Sequence, residues 1–383
     1  MTEARVRKHA INALGQRNAE VVAAMGMGGN LTRRWSERHE EMLVAQTGAG
    51  DLTGGITAWA KTFRLMLQSG ILALGAYLAI LQEITPGAMI AASIISARAL
   101  GPVEQALSRW RSYLETRSAW RRLDEDLAAE VDVRTTLPRP VSTLEVVGLS
   151  IAPPGVEKPT LSDVNFRLEA GQSLAVVGPS AAGKTTLGRA LARVWPPLEG
   201  EVRLDGATLD QWAPEMLGRF VGYLPQDVEL FDGTVAENVS RFDEQCDDAQ
   251  VIAAATAAGA HELITGLPDG YDTRIGPAGA NLSAGQRQRI GLARALYGTP
   301  FLVILDEPDA NLDTAGEEAL RTAITGAKAA GSIVVIMAHR ANAIAAADQV
   351  LVLAGGRQRA FGPPSEVLPR IVRKPGATKR SAA

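Results

Sequence analysis

A short apolar run that breaks into a glycine-rich loop and then into a helix constrains this chain more than any other feature. Leu174–Val177 reads as a buried strand. It leads directly into Gly178, Pro179, Ser180, Ala181, Ala182, Gly183, Lys184, Thr185 and Thr186, and Leu187–Arg193 continues as a helix. The spacing is G-x-x-x-x-G-K-[ST], in the order of strand, loop and helix that a phosphate-binding loop requires. Its glycines let successive backbone N–H groups turn inward around phosphate oxygens, and the helix N-terminus adds partial positive charge. Lys184 is placed to reach β- and γ-phosphates, and Thr185 to ligate Mg2+.

A second signal fits the first. Phe301–Leu305 is a run of five apolar residues ending in Asp306, Glu307 and Pro308. It reads as a buried strand that delivers two carboxylates at its carboxyl end, where ligands sit in a doubly wound sheet. Asp306 is expected to hold Mg2+ through water, and Glu307 to orient or deprotonate an attacking water. From Leu144 onward short apolar strands alternate with helical stretches, so the fold class expected is α/β.

Between these two motifs lies Leu282-Ser283-Ala284-Gly285-Gln286, followed by Arg287-Gln288-Arg289-Ile290. Upstream stand Tyr223-Leu-Pro-Gln226 and Phe231, and downstream Ala310-Asn-Leu-Asp313 and Ile336-Met-Ala-His339-Arg340. In order and spacing these segments resemble the ATP-binding cassette ATPases: signature LSGGQ-x-Q-R, glutamine loop, D-loop and switch histidine. The resemblance covers residues 144–365 and implies a phosphate-loop domain with a helical subdomain. It further implies two cassettes packed head to tail, with two ATP molecules buried between the phosphate loop of one and the signature of the other. On that pattern Ser283, Ala284, Gly285, Gln286 and Asp313 join the nucleotide site. Ser283 and the Gly285 N–H meet the partner's γ-phosphate, Gln226 contacts Mg2+ and water, and His339 bonds the γ-phosphate and positions Glu307.

Three departures stand out. Ala284 replaces the second signature glycine, a change that is tolerated if its φ is ordinary and costly if φ is positive. Ile151-Ala152-Pro153-Pro154 holds no aromatic where the family stacks one on adenine, which leaves Pro153 as a weaker apolar contact. Gly276-Pro277-Ala278-Gly279 stands where exporters carry an acidic G-E-x-G.

Composition excludes other classes. A net charge of −3 and a pI near 5.9 give no footprint for nucleic acid. The single cysteine, Cys246, and four histidines cannot build a disulfide-stapled fold or a Cys/His zinc module. Charge is nevertheless uneven: residues 1–140 carry 17 Lys and Arg against 14 Asp and Glu, and the remainder 22 against 28.

That N-terminal part reads as a partial membrane domain over 1–130. Residues 1–55 are polar and helical, and membrane helices are expected at about 56–81 and 86–105, with a charged cytoplasmic extension to 130. A linker follows at 131–143, and a basic, disordered tail is expected at 366–383. In Leu65–Leu81 the hydrophilic residues are Gln68 and Ser69, at the lower length limit of a span, with a buried core helix as the bland alternative. Residues 1–55 carry seven Lys and Arg, whereas the connector Gln82–Thr85 has none. Both ends are therefore expected on the cytoplasmic side, with the connector outside.

Segments such as Arg17–Met27, Ile84–Ser93 and Arg98–Gln105 resemble type I secretion exporters of the protease and lipase class. The resemblance implies a homodimer in the bacterial inner membrane with cytoplasmic ATPase domains. It also implies a periplasmic adaptor, an outer-membrane channel and an exported polypeptide as partners, and a coupling loop within residues 8–36. Such exporters carry six membrane helices per chain, so the two expected here correspond to the fifth and sixth. Three functions stay open on the sequence: the ATP-hydrolysing subunit of a polypeptide exporter, a transport-incompetent remnant that binds nucleotide, and a soluble cassette ATPase.

Overall fold

The computed structural model describes residues 19–128, 137–156, 158–276, 279, 281–310, 312–338 and 347–372. The chain divides into two compact units, residues 1–131 and 132–383.

The first unit is helical, with α1 at Ala19–Ala24, α2 at Gly28–Ile80 and α3 at Pro86–Ala128. α2 does not stop at residue 55, where the sequence suggests a change from polar segment to span. No proline interrupts residues 28–80, so its glycines leave the backbone ladder intact over about 80 Å. The turn to α3 uses Gln82 at φ +57. Thr85 then caps the next helix, its Oγ1 accepting Ala88 N–H at 3.3 Å ahead of Pro86 in the first turn.

Within α2, Ala58–Ile80 is long and apolar enough to cross a membrane, with a mean hydropathy of 1.5 and only 6% of the window buried. Trp59 and Tyr77 are exposed toward its two ends, where aromatic rings suit membrane interfaces. This stretch is not a core helix of its own unit. Of the second expected span, 86–105, the apolar stretch within α3 is Pro86–Ser96, and Arg98 follows it. Gly75 is buried against α3; a Cβ there would lie 2.7 Å from Met89 Cγ. Gly75→Val is expected to weaken the hairpin by about 1–3 kcal/mol. Gly70→Val, with no atom within 4 Å of its added Cβ, should not. Thermal loss of helicity in micelles distinguishes the two.

The second unit opens with β1 (Thr143–Ile151), β2 (Leu161–Glu169) and β3 (Ser173–Val177), then α4 (Lys184–Leu191), β4 (Glu199–Leu204) and β5 (Ala207–Thr208). Next come α5 (Pro214–Phe220), β6 (Val221–Leu224), β7 (Gly233–Thr234), α6 (Val235–Val239), α7 (Asp248–Ala257), α8 (His261–Thr265) and β8 (Arg274–Ile275). The chain continues through α9 (Ala284–Leu296), β9 (Leu302–Asp306), α10 (Thr314–Ala329), β10 (Ile333–Met337), β11 (Gln349–Ala354), β12 (Arg357–Gly362) and α11 (Pro364–Val372). Among the described residues ten strands form one sheet, in the order β5-β4-β1-β2-β12-β11-β3-β10-β9-β6. The strands β11-β3-β10-β9-β6 run parallel to one another, β5-β4-β1-β2 is antiparallel, and β12 joins the two parts, parallel to β2 and antiparallel to β11.

Alternation explains why the central strands are apolar throughout. Leu302 and Ile304 of β9, with Val335 and Met337 of β10, enter the core under α4 and the antiparallel strands. Val303 and Leu305, with Val334 and Ile336, enter the core shared with α7 and α9. Both faces are covered, so neither strand has a polar side. At the C-terminus, α11 occupies residues where a tail is expected from 366, because Val367 is 2% exposed and packs against Val350. Residues 373–383 lie outside the described residues.

The chain enters this unit through a tight anchorage. Asp205 and Gly206, at φ +49 and +84, make the β4-β5 turn, the pairing that an Asp-Gly turn with two positive φ values favours. The Asp205 carboxylate accepts three successive amides: Val141 at 2.7 Å, Ser142 at 3.0 Å and Thr143 at 2.6 Å. Two residues earlier, Arg139 Nη2 donates to Thr299 O at 2.6 Å.

Candidate nucleotide site

Strand order brings the motifs together. β3, β9 and β6 are parallel members of one sheet, and all three end on the same side. The loop from Gly178, the pair Asp306 and Glu307, and Gln226 therefore leave the sheet at one edge.

The loop needs its glycines. A Cβ at Gly178 would lie 2.3 Å from Leu353 O, and one at Gly183, which has φ +101, would lie 2.8 Å from Leu161 Cγ. Ala181 also turns through the left-handed region at φ +62. α4 begins at Lys184 with no side-chain cap and no acidic residue in its first turn, so its end favours an anion. Lys184 is 5% exposed, and its Nζ donates to Gly178 O at 2.9 Å and Pro179 O at 3.2 Å. Burial lowers the pKa of this ammonium, opposed by the charges of Glu307 and Asp306. Thr185 is half-buried, and Ala182 and Thr186 are buried.

Asp306 is wholly buried, and neither of its carboxylate oxygens has a hydrogen-bond partner. Burial raises its pKa, while the hydroxyl of Thr185 draws it down and the charge of Glu307 adds to the rise. A buried carboxylate left this way fits a divalent cation, with Thr185 as the adjoining oxygen donor. Glu307 has φ +50, and its N–H donates to Met337 O at 3.2 Å. Gln226 Nε2 donates to Glu307 Oε2 at 3.0 Å. His339 lies outside the described residues, two positions past the end of β10.

The signature segment forms the start of α9. Ser283 caps it in a reciprocal box: Ser283 Oγ accepts Gln286 N–H at 3.2 Å, and Gln286 Oε1 accepts Ser283 N–H at 2.8 Å. Ala284 and Gly285 sit in the first turn, and neither has a positive φ. The glycine-to-alanine departure is thus the tolerated case. Asp313 Oδ1 caps α10 through Gly316 N–H at 2.8 Å and pairs with Arg289 at 2.7 Å. The structure consequently gives Asp313 a structural task beside the nucleotide role expected of it. Pro153 is half-buried in the loop after β1. Pro277 and Ala278 lie outside the described residues.

Gln288 and Arg289 follow the signature segment without a role marked in their sequence pattern. Gln288 Nε2 donates to Pro308 O at 3.2 Å. Its available signal was a polar residue in register with buried Leu292 and Ala295. Arg241 was missed altogether. Its guanidinium donates to the carbonyls of Gly218, Val221, Arg294, Ala295 and Tyr297, and burial pushes its pKa down to about 10. It lines a cavity of about 430 Å³ together with Tyr223, Asp227, Phe231 and Phe242, next to Gln226 in sequence.

Residues 161–310 match the ABC transporter family. The match takes in the phosphate loop, Gln226, the signature segment and the Asp306–Glu307 pair. The chain is 50% identical over 369 residues to the type I secretion system ATP-binding protein PrsD of Rhizobium meliloti, covering 96% of this chain and 63% of the relative. It is 32% identical over 330 residues to the cyclolysin secretion/processing ATP-binding protein CyaB of Bordetella pertussis, covering 84% of this chain and 46% of the relative. The chain thus spans about half to two thirds of these relatives. A bacterial Atm1-family ABC exporter solved with ATP bound superposes with a TM-score of 0.82 at 24% identity, over 97% of this chain and 66% of that one. The fold is that of an ABC exporter: a helical region followed by an α/β domain.

Proposed function

We propose that this chain is the ATP-hydrolysing subunit of a bacterial inner-membrane exporter that energises type I secretion of polypeptides. The observation that carries the chemistry is the Gln226 to Glu307 hydrogen bond beside an orphaned, buried Asp306. Fifty per cent identity to a type I secretion protein supports the choice of process, and the exposed apolar stretch Ala58–Ile80 supports a membrane anchor over a soluble ATPase.

In this reading the amides of the 178–183 loop and Lys184 bind the β- and γ-phosphates, while Pro153 gives the adenine a modest apolar contact. Thr185, Asp306 and Gln226 hold Mg2+, which when bound neutralises charge on the phosphates. Glu307 takes a proton from water as the water oxygen bonds to the γ-phosphorus. The bond from that phosphorus to the β–γ bridging oxygen breaks, and ADP leaves with the electron pair. His339 bonds the γ-phosphate. The second nucleotide contact comes from another copy: Ser283 Oγ already accepts an amide, so its O–H is the donor offered to the partner's γ-phosphate, beside the Gly285 N–H. Asp313 completes that face. A periplasmic adaptor and an outer-membrane channel complete the secretion path.

The test is turnover per chain in detergent, followed through dilution and with an unfolded polypeptide added. Turnover should rise through the association range and respond to polypeptide. Steady hydrolysis by monomers of confirmed mass, indifferent to polypeptide, rejects the reading.

A further inference from the structure

We infer that Gln288 is a positioning residue for hydrolysis. It ties the helix whose N-terminus faces the partner's phosphate to the backbone that carries this chain's own Glu307. The inference rests on the function proposed above.

Gln288 is 3% exposed on α9, and its amide is committed to Pro308 O at 3.2 Å. A buried amide with no such partner is costly, so the bond fixes both ends. Pro308 follows Glu307, whose φ of +50 is a conformation that side chains other than glycine rarely hold without support. Support comes from either side of Glu307: its own N–H bonds Met337 O, and the next carbonyl is held by Gln288.

One turn further along, α9 presses on the other arm of the site. A Cβ at Gly291 would lie 2.7 Å from Val228 Cγ1 and 3.1 Å from Leu224 Cδ1, residues two positions after and two before Gln226 in sequence. Gln226 and Glu307, bonded to each other, are therefore carried by two segments that the same helix touches. A shift of α9 when its N-terminus engages phosphate reaches both. This gives one nucleotide site a route to the other site's base.

The experiment compares Gln288→Met with the unmutated full chain and Glu307→Gln, all in lipid nanodiscs. Met fills a similar volume but donates nothing. Turnover should fall about tenfold, with KM for ATP changed by less than about twofold and ATP-dependent dimerisation retained. Gln288→Asn, with an amide on a shorter arm, should fall between the two and serves if the Met variant does not fold. Turnover at the unmutated rate overturns the inference. So does loss of dimerisation together with turnover, which would assign Gln288 to the signature end alone. If Glu307→Gln hydrolyses normally, the proposed function fails instead, whatever Gln288 does.

Discussion

Replacing Glu307 with Gln is expected to slow ATP turnover by about a hundredfold or more while ATP binding persists. The substitution keeps the length and shape of the side chain, and its carboxamide oxygen can still accept the Gln226 Nε2 bond that the carboxylate accepts at 3.0 Å. The backbone requirement is unchanged, because Gln meets the same φ of +50 that Glu already tolerates. What is lost is a group able to take a proton from water. Lys184, Thr185 and Asp306 are untouched, so on the proposed function ATP should stay bound between two cassettes that no longer reset. Mass measured by light scattering should report a dimer in ATP that outlasts that of the unmutated chain. Prompt dissociation, or turnover within a few-fold of normal, would count against Glu307 as the base.

Lys184→Ala is expected to weaken ATP binding by about a hundredfold or more, from the loss of two or more charge-assisted hydrogen bonds at about 1.5–3 kcal/mol each. The ammonium is nearly enclosed and bridges Gly178 O and Pro179 O, so it both shapes the loop and supplies the charge. Leu187 and Leu191 still pack under the sheet, so α4 should remain folded and the loss should appear in affinity. Titration with a fluorescent nucleotide measures it; unchanged affinity would remove the 178–186 loop from the site. The metal role proposed for Asp306 brings a pH dependence. Burial raises the pKa of Asp306, and metal binding needs its ionised form. Mg-dependent affinity should therefore decline as pH falls toward that raised pKa.

The α/β cassette was legible in the sequence because its signals are local. Strand, loop and helix around Lys184 are contiguous, and the Asp306 pair terminates an apolar run that sheet burial on both faces demands. The long helices were less legible. Hydropathy marks where a segment suits lipid, whereas the end of a helix depends on breakers, and residues 28–80 have no proline. Gly75 was silent for the same reason, since its closeness to Met89 is a property of two helices. Gln288 and Arg241 were hidden because their partners are backbone carbonyls in other segments. Carbonyls carry no residue identity, so a sequence pattern gives no sign of which ones a side chain will reach.

The anchorage at Asp205 has a mechanical reading. One carboxylate grips three consecutive amides, so its hold on the chain depends on backbone alone and survives drift in the side chains of residues 141–143. Tension arriving from before Leu137 is divided between two points. One is the rigid β4-β5 turn at the edge of the sheet. The other is Thr299, through Arg139, in the short passage between the end of α9 and the start of β9. A pull on the chain at Arg139 would thus reach Thr299, three residues before the strand whose far end is Asp306.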